Sequence, residues 1–134
     1  SGKNADWQLI DPANNMVYVV AEAASRAFGS LYALVAPFLG LLAGFISGSE
    51  TSAIAMLTAI HLTTAEKIGA LGLLIAAASG IGAGLASVIS PAKLQNAAAS
   101  IDRIGEEGRV IPAAIAIALA ITAVCAAMAL IWAF

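Results

Sequence analysis

Charged side chains are scarce in this sequence. Asp, Glu, Lys and Arg together make up 10% of its 134 residues, against about 25% in an average soluble domain. The net charge of −2 excludes the strongly basic surface that nucleic acid binding needs. The single cysteine, Cys125, lies in an apolar run and has no partner within the chain for a disulfide. Because 61% of the residues are hydrophobic, we predict an all-α membrane protein that lies in a lipid bilayer.

Residue groupings that carry chemistry are also missing from the sequence. It has no cluster of metal ligands at the usual spacings, no catalytic triad, no phosphate-binding loop and no dinucleotide fingerprint. We therefore predict no enzymatic activity, no catalytic residue, no metal and no cofactor.

Three long uncharged runs define the expected membrane spans. They cover residues 27–49, 68–92 and 110–134, and each exceeds the roughly 20 residues that cross a bilayer as a helix. The intervening uncharged run, residues 51–65, is too short to cross comfortably. We predict spans at about residues 28–47, 68–92 and 110–133, and a partial or re-entrant helix at about 51–62.

The polar segments set the expected orientation. Residues 1–26 are predicted to form a polar loop followed by the start of a helix, in which Glu22 and Arg26 have i, i+4 spacing. If residues 51–65 do not cross, five of the six basic residues share one side. The positive-inside rule then places the chain start and the 93–109 loop in the cytoplasm. This orientation predicts a multi-pass protein of the cell inner (plasma) membrane.

Small residues repeat every four positions in three stretches. Lipid gives no hydrophobic drive for helix association, so such stripes allow neighbouring backbones to approach closely. The three stripes are Gly40, Gly44 and Gly48; Ala76, Gly80 and Gly84; and Ala114, Ala118, Thr122 and Ala126.

The first polar interruption is residues 47–52, which read SGSETS. Gly48 weakens a helix, and the flanking hydroxyls can satisfy freed backbone groups. Glu50 must be paired, protonated or hydrated if it lies within the bilayer, and a protonated carboxyl there is a natural proton carrier. The alternative is a loop at the membrane surface.

The second interruption is residues 79–84, which read SGIGAG near the centre of an apolar run. An interior glycine costs about 1 kcal/mol relative to alanine, so three of them predict a helix that unwinds. Ser87, Ser90 and Pro91 extend the disturbance. Interrupted helices line substrate sites in transporters, and helix N-termini bind anions. The alternative is a continuous but loosely wound helix.

His61 is the sole histidine and lies among apolar residues. A proton relay is one interpretation, and a solvated helix end is the one we favour from sequence.

Several short segments, in order along the chain, resemble the C-terminal part of the L-lactate permease family. The similarity extends over residues 30–109. The segments are APFLG at 36–40, GSETS at 48–52, TAEKIG at 64–69, ISP at 89–91 and GEEG at 105–108.

This resemblance implies a secondary transporter with two inverted repeats that imports lactate or glycolate with a proton. The chain would be part of the second repeat. Glu50 stands where the family has aspartate, and the asparagine and lysine that the family has before Ile-Ser-Pro are absent here.

Two functional hypotheses follow. In the first, the two interruptions face each other, Glu50 exchanges the proton, and the partners are a small organic anion, a proton and the remaining helices of the transporter. In the second, the chain is a small structural or assembly subunit of the membrane with no transport activity; residues 68–92 then form an unbroken helix. The predicted substrate-binding residues are Ser47, Gly48, Ser49, Thr51, Ser52, Ser79, Gly80, Gly82, Gly84 and Ser90.

Overall fold

The computed structural model describes residues 15–134, and this part of the chain is helical, without β-strands. The predicted polar loop at residues 1–14 lies outside the described residues. A 3₁₀ turn, Gly29–Leu31, separates the first two helices. The helices are α1 (Met16–Phe28), α2 (Tyr32–Ser47), α3 (Glu50–Ile68), α4 (Gly72–Val88), α5 (Pro91–Ser100) and α6 (Glu107–Trp132). The all-α prediction is confirmed.

Three stretches are long and apolar enough to cross a membrane: Met16–Ser47, Gly72–Ser100 and Glu107–Trp132. The outer face of α6 exposes large apolar side chains, including Ile117, Val124 and Ile131. Such an apolar surface suits contact with lipid. These features confirm the prediction of a transmembrane helix bundle.

Helix α1 begins as its sequence predicts. The Asn15 side chain accepts hydrogen bonds from the backbone N–H groups of Val17 and Tyr18, which caps the helix. The expected ion pair is present, with 2.8 Å between Arg26 Nε and Glu22 Oε1. Lys67 of α3 forms a second ion pair with Glu22, at 2.5 Å, so α1 is fastened to the last turn of α3.

Helices α2 and α4 run parallel and pack most closely of all. A Cβ atom added at Gly40 would overlap the backbone of Ser79, and one added at Gly44 would overlap Ala83. In the other direction, a Cβ at Gly82 would overlap the carbonyl oxygen of Pro37. The predicted glycine stripe on α2 is therefore a close-packing surface, and Ser79, Gly82 and Ala83 of α4 pack against α2.

The second predicted stripe, on α4, faces a different neighbour from the first. Positions for a Cβ at Gly80 and Gly84 lie against Ile54 and Glu50 of α3, respectively. On α6, the stripe residues Ala118, Thr122 and Ala126 are buried. All three small-residue stripes thus include helix-packing positions.

Helix α3 differs from the short re-entrant helix predicted at residues 51–62. It has 19 residues, or about 28 Å at 1.5 Å per residue, and runs antiparallel to α4 from Glu50 beside Gly84 to Ala65 beside Gly72. Its polar composition hid this length. Hydroxyls at Thr58, Thr63 and Thr64 bond carbonyls four residues back, so the helix satisfies them internally.

The antiparallel course of α3 changes which segments share an end of the bundle. Tyr32, Ala65, Ile75 and Ala133 form one buried cluster, and Leu71 N–H donates to Ala133 O at 3.0 Å. We call this the first end. Residues 93–109 follow α4 at the opposite, second end. The sequence had placed Arg26 and residues 93–109 on one side, whereas the structure has Arg26 near the first end and residues 93–109 at the second. The side of the membrane that each end faces stays a prediction.

The predicted unwinding of residues 79–84 is wrong, because α4 is continuous from Gly72 to Val88. The glycines let α2 and α3 approach its backbone, and the packing gained there offsets their low helix propensity. The break in this part of the chain comes later, at Ile89 and Ser90, before Pro91 starts α5.

Candidate functional site

Two helix breaks meet at the second end of the bundle. The α2–α3 break contains Gly48, which adopts left-handed backbone angles (φ 66°), and the extended Ser49. The α4–α5 break contains Ile89 and Ser90. A Cβ atom added at Gly48 would lie 3.0 Å from Ser90 Oγ. We call these four residues the junction. The structure thus brings Gly48 of the first polar segment close to Ser90 of the second.

Some of the hydroxyl groups in residues 47–52 stabilise the end of α2 and the start of α3. Ser47 Oγ donates to Ala43 O at 2.7 Å and accepts from Ser49 N–H at 3.2 Å. Ser49 Oγ accepts from Ser52 N–H at 3.3 Å, as an N-cap does. Thr51 and Ser52 are exposed in the first turn of α3. Ser47 and Ser49 therefore shape the break in addition to any binding role.

Ser90 is the exceptional hydroxyl of the junction. It is 1% exposed, and its Oγ has no hydrogen-bond partner among the described residues. Ser90 occupies the N-cap position of α5 without making a capping bond. A buried unsatisfied polar group costs about 1–3 kcal/mol. The hydrogen-bonding capacity of this hydroxyl is therefore unused within the described residues.

Glu50 lies beside the junction, in the first turn of α3, and its carboxylate atoms are 3.2–3.3 Å from the position of a Cβ at Gly84. An acidic side chain is favourable at this end of a helix because of the helix dipole. Glu50 is exposed and forms no ion pair among residues 15–134. Glu50 is thus the first residue of α3 and not part of the connecting loop.

The remaining predicted site residues lie in the bundle interior. Ser79, Gly80 and Gly82 are buried in α4, two to three turns from Ser90. Ser79 Oγ is 2.8 Å from His61 Nε2. The predicted site therefore divides into two groups. One is the junction, with Gly84 and Glu50 beside it, and the other is the set of buried α4 residues. The sequence had treated them as one site.

His61 was misjudged from sequence, since it is not at a solvated helix end. It is 1% exposed and lies within α3, on the same buried face as Ala53, Thr64 and Ala65. Its Nδ1 is 2.8 Å from the Tyr32 hydroxyl. The spacing of His61, Thr64 and Ala65 at i, i+3 and i+4 was the available sign of a buried face.

The described part of the chain contains no group of three or more His, Cys, Asp or Glu side chains that could hold a metal ion. The chemistry available at the junction is that of hydroxyls, backbone groups at helix termini and one carboxylate. These are groups that bind and release a small anion and a proton.

Known proteins resemble this chain over most of its length. The sequence profile described as L-lactate permease matches residues 7–134. The L-lactate permease of Escherichia coli (strain K12) is 37% identical over 79 residues, 59% of this chain. The L-lactate permease of Salmonella typhi is 35% identical over the same length, and a glycolate permease of Escherichia coli (strain K12) is 34% identical.

The matched segment is 14% of the length of each of these relatives. No solved structure matched the chain. Because the profile match covers nearly the whole sequence, the chain belongs to the L-lactate permease family.

Proposed function

We propose that this chain supplies part of a secondary transporter that moves lactate, or a related short hydroxy-monocarboxylate, together with a proton across the cell membrane. Family membership supports the transporter class, and relatives named for lactate and for glycolate support the cargo class. The observation that carries the proposal is the junction, where two helix breaks meet at a buried Ser90 hydroxyl without a partner.

The cargo carboxylate is proposed to bind at the junction, where Ser90 Oγ donates a hydrogen bond to it. The N-terminus of α5 supports this role. Pro91 has no N–H, and the N–H groups of Ala92 and Lys93 have no carbonyl acceptor within the helix. The positive end of the α5 dipole also favours an anion. Residues 47–52 add hydroxyls for the hydroxyl group of the cargo.

Glu50 is proposed to couple the proton to the cargo. It is two residues from Gly48, and an ionised carboxylate so close to the junction repels a second carboxylate. Protonation of Glu50 removes that repulsion, so the anion and the proton bind together. The protein is thus proposed to act as a symporter in the plasma membrane, without enzymatic activity.

The structural-subunit hypothesis predicted an unbroken helix over residues 68–92, and α4 is indeed unbroken from Gly72 to Val88. That hypothesis gives no reason for a buried Ser90 hydroxyl without a partner. The transporter hypothesis accounts for the continuous helix equally well, because close packing of α2 on α4 stabilises it. Family membership and the junction therefore favour the transporter.

Uptake of labelled L-lactate into proteoliposomes tests the proposal with the intact transporter. We expect accumulation that depends on an inward proton gradient. Glu50→Gln is expected to retain lactate exchange between the two sides while uptake falls to the level measured without a gradient. Glu66→Gln, an exposed carboxylate near the other end of α3, is the matched control and should behave as wild type.

Absence of lactate and glycolate uptake by the intact wild type would overturn the proposed cargo class. Gradient-driven uptake by Glu50→Gln at the wild-type rate would overturn the coupling role of Glu50.

A further inference from the structure

A buried histidine connects three helices in the bundle interior. His61 of α3 is 2.8 Å from the Tyr32 hydroxyl of α2 through Nδ1 and 2.8 Å from Ser79 Oγ of α4 through Nε2. Both ring nitrogens are therefore hydrogen-bonded to hydroxyls, which can donate or accept. We call Tyr32, His61 and Ser79 the histidine cluster. The transport mechanism proposed above makes no use of it.

A neutral imidazole has one donor and one acceptor nitrogen, so one hydroxyl must donate to the ring and the other must accept from it. An imidazolium ion has two donors, so both hydroxyls must accept. The cluster can change between these patterns only if a hydroxyl proton that now points at the ring finds another acceptor.

Thr64 provides that acceptor beside Tyr32. Its hydroxyl lies close to the Tyr32 hydroxyl, and it donates its own proton to Ile60 O at 2.8 Å. The lone pairs of Thr64 Oγ1 are therefore free to accept from Tyr32. When a proton binds at Nδ1, the Tyr32 O–H can turn from the ring to Thr64 and accept the new N–H. Ser79 accepts from Nε2–H in both states, so the cluster admits a proton without losing a hydrogen bond.

The charged groups around the cluster do not neutralise an imidazolium ion. Helices α2 and α4 contain no Asp, Glu, Lys or Arg. On α3, Glu66 is exposed and Lys67 is paired with Glu22 of α1. The acidic residue at the start of α6, Glu107, lies at the second end of the bundle, whereas Tyr32 lies at the first. Within the described residues, no carboxylate contacts the ring.

We propose that His61 is a proton-binding site inside the bundle, and that it becomes cationic when an anionic cargo enters the transporter. This proposal rests on the proposed function, which supplies the anionic cargo. A buried cation without a counter-charge is unfavourable, so the ring is neutral in the cargo-free state. A carboxylate bound at the junction, about three helical turns from Ser79, stabilises the cation across the low-dielectric interior. By linkage, the proton then stabilises the bound carboxylate to the same degree.

Nitrogen NMR of the intact transporter, reconstituted in nanodiscs and labelled with ¹⁵N-histidine, reports the ring directly. The spectrum of His61→Gln identifies the His61 signals by their loss, and glutamine keeps one donor and one acceptor for Tyr32 and Ser79. We expect L-lactate to raise the midpoint of His61 protonation by about 0.7 to 2.2 pH units, the equivalent of about 5- to 150-fold coupling. Lactamide, which lacks the charge, should leave the midpoint unchanged.

Thr64→Val is the decisive variant, because it leaves the neutral cluster bonded and removes only the acceptor to which Tyr32 turns. We expect a midpoint about one pH unit lower than in wild type, which corresponds to a tenfold weaker proton affinity. A His61 ring that stays neutral across the titration in the presence of lactate would overturn the proposal. So would equal midpoints in Thr64→Val and wild type.

The two proposals fail separately. If lactate binds and is transported but His61 does not titrate, only the histidine proposal falls. If the wild type neither binds nor transports lactate, the proposed cargo falls. Under that outcome, the Thr64→Val comparison without lactate still tests proton binding at His61.

Discussion

Residues 47–52, which contribute one side of the junction, and residues 79–84 in the interior of α4 have similar sequences and different structures. Both are rich in serine and glycine: SGSETS at residues 47–52 and SGIGAG at residues 79–84. The first contains a helix break, and the second is a continuous helix. The difference lies in the neighbours. Gly48 has left-handed backbone angles, whereas Gly82 has a partner backbone in contact, from Pro37 to Leu41. Glycine permits either a turn or a close approach, and the packing around it decides which.

The largest effect is expected where two backbones touch. Gly82→Val would place side-chain atoms where the Pro37 carbonyl lies, so α2 and α4 must separate. We expect a loss of about 3 kcal/mol or more in unfolding free energy, the range of severe overpacking. Unfolding of the purified protein in mixed micelles measures it. Gly108→Ala, at a position with no neighbour within 4 Å, should cost nothing. Equal stability of Gly82→Val and wild type would mean that α2 and α4 are not in contact.

The next effect concerns the histidine cluster. His61→Leu leaves the Tyr32 and Ser79 hydroxyls without their ring partners in a buried site, at about 1–3 kcal/mol for each. His61→Gln retains a donor and an acceptor and should recover most of this loss. The same micelle unfolding assay compares the two variants. If glutamine is as destabilising as leucine, the two hydrogen bonds do not hold the three helices together.

Two serine-to-alanine substitutions compare the interior of α4 with the junction, in stability and in lactate uptake. Ser79→Ala removes a hydrogen bond from His61 and should reduce stability by about 1 kcal/mol. Ser90→Ala removes a hydroxyl that has no partner within residues 15–134, so stability should be unchanged or slightly higher. Lactate uptake should show the reverse order, with the larger loss in Ser90→Ala. A destabilised Ser90→Ala with normal uptake would contradict the binding role of this hydroxyl.

The sequence was sufficient for what depends on composition and length. Long uncharged runs predicted three apolar helices, and the four-residue spacing of Gly40 and Gly44 predicted a packing surface. It failed where the answer depends on a neighbouring helix. The continuity of α4 follows from contacts with Pro37 and Ile54 that no local pattern encodes.

The course of α3 and the burial of His61 were missed for a related reason. Hydroxyls that bond their own helix, as at Thr58 and Thr63, look like solvated groups in a sequence. The two partners of His61 come from α2 and α4, and the local sign of its burial was only its spacing with Thr64 and Ala65. Both errors made a full-length helix look like a partial one.

The smallest effects are expected on the side of α4 that faces α3, where the junction and the interior adjoin. A Cβ at Gly80 would be 3.4 Å from Ile54 Cδ1, an ordinary contact. Gly80→Ala should therefore gain up to about 1 kcal/mol from helix propensity. A Cβ at Gly84 would be 3.2 Å from Glu50 Cδ, so Gly84→Ala must displace the Glu50 side chain, and its stability should change less than that of Gly80→Ala.

The contrast between these two alanines lies in function, because only one of them moves a carboxylate. Gly84→Ala should shift the pH dependence of lactate uptake, since Glu50 is pushed away from its place beside the junction. Gly80→Ala is one turn away on the same face and should leave that dependence as in wild type. A common pH profile for the two variants would mean that the position of Glu50 does not govern coupling. The proton would then have to be carried elsewhere, and the histidine cluster is the buried titratable group that remains.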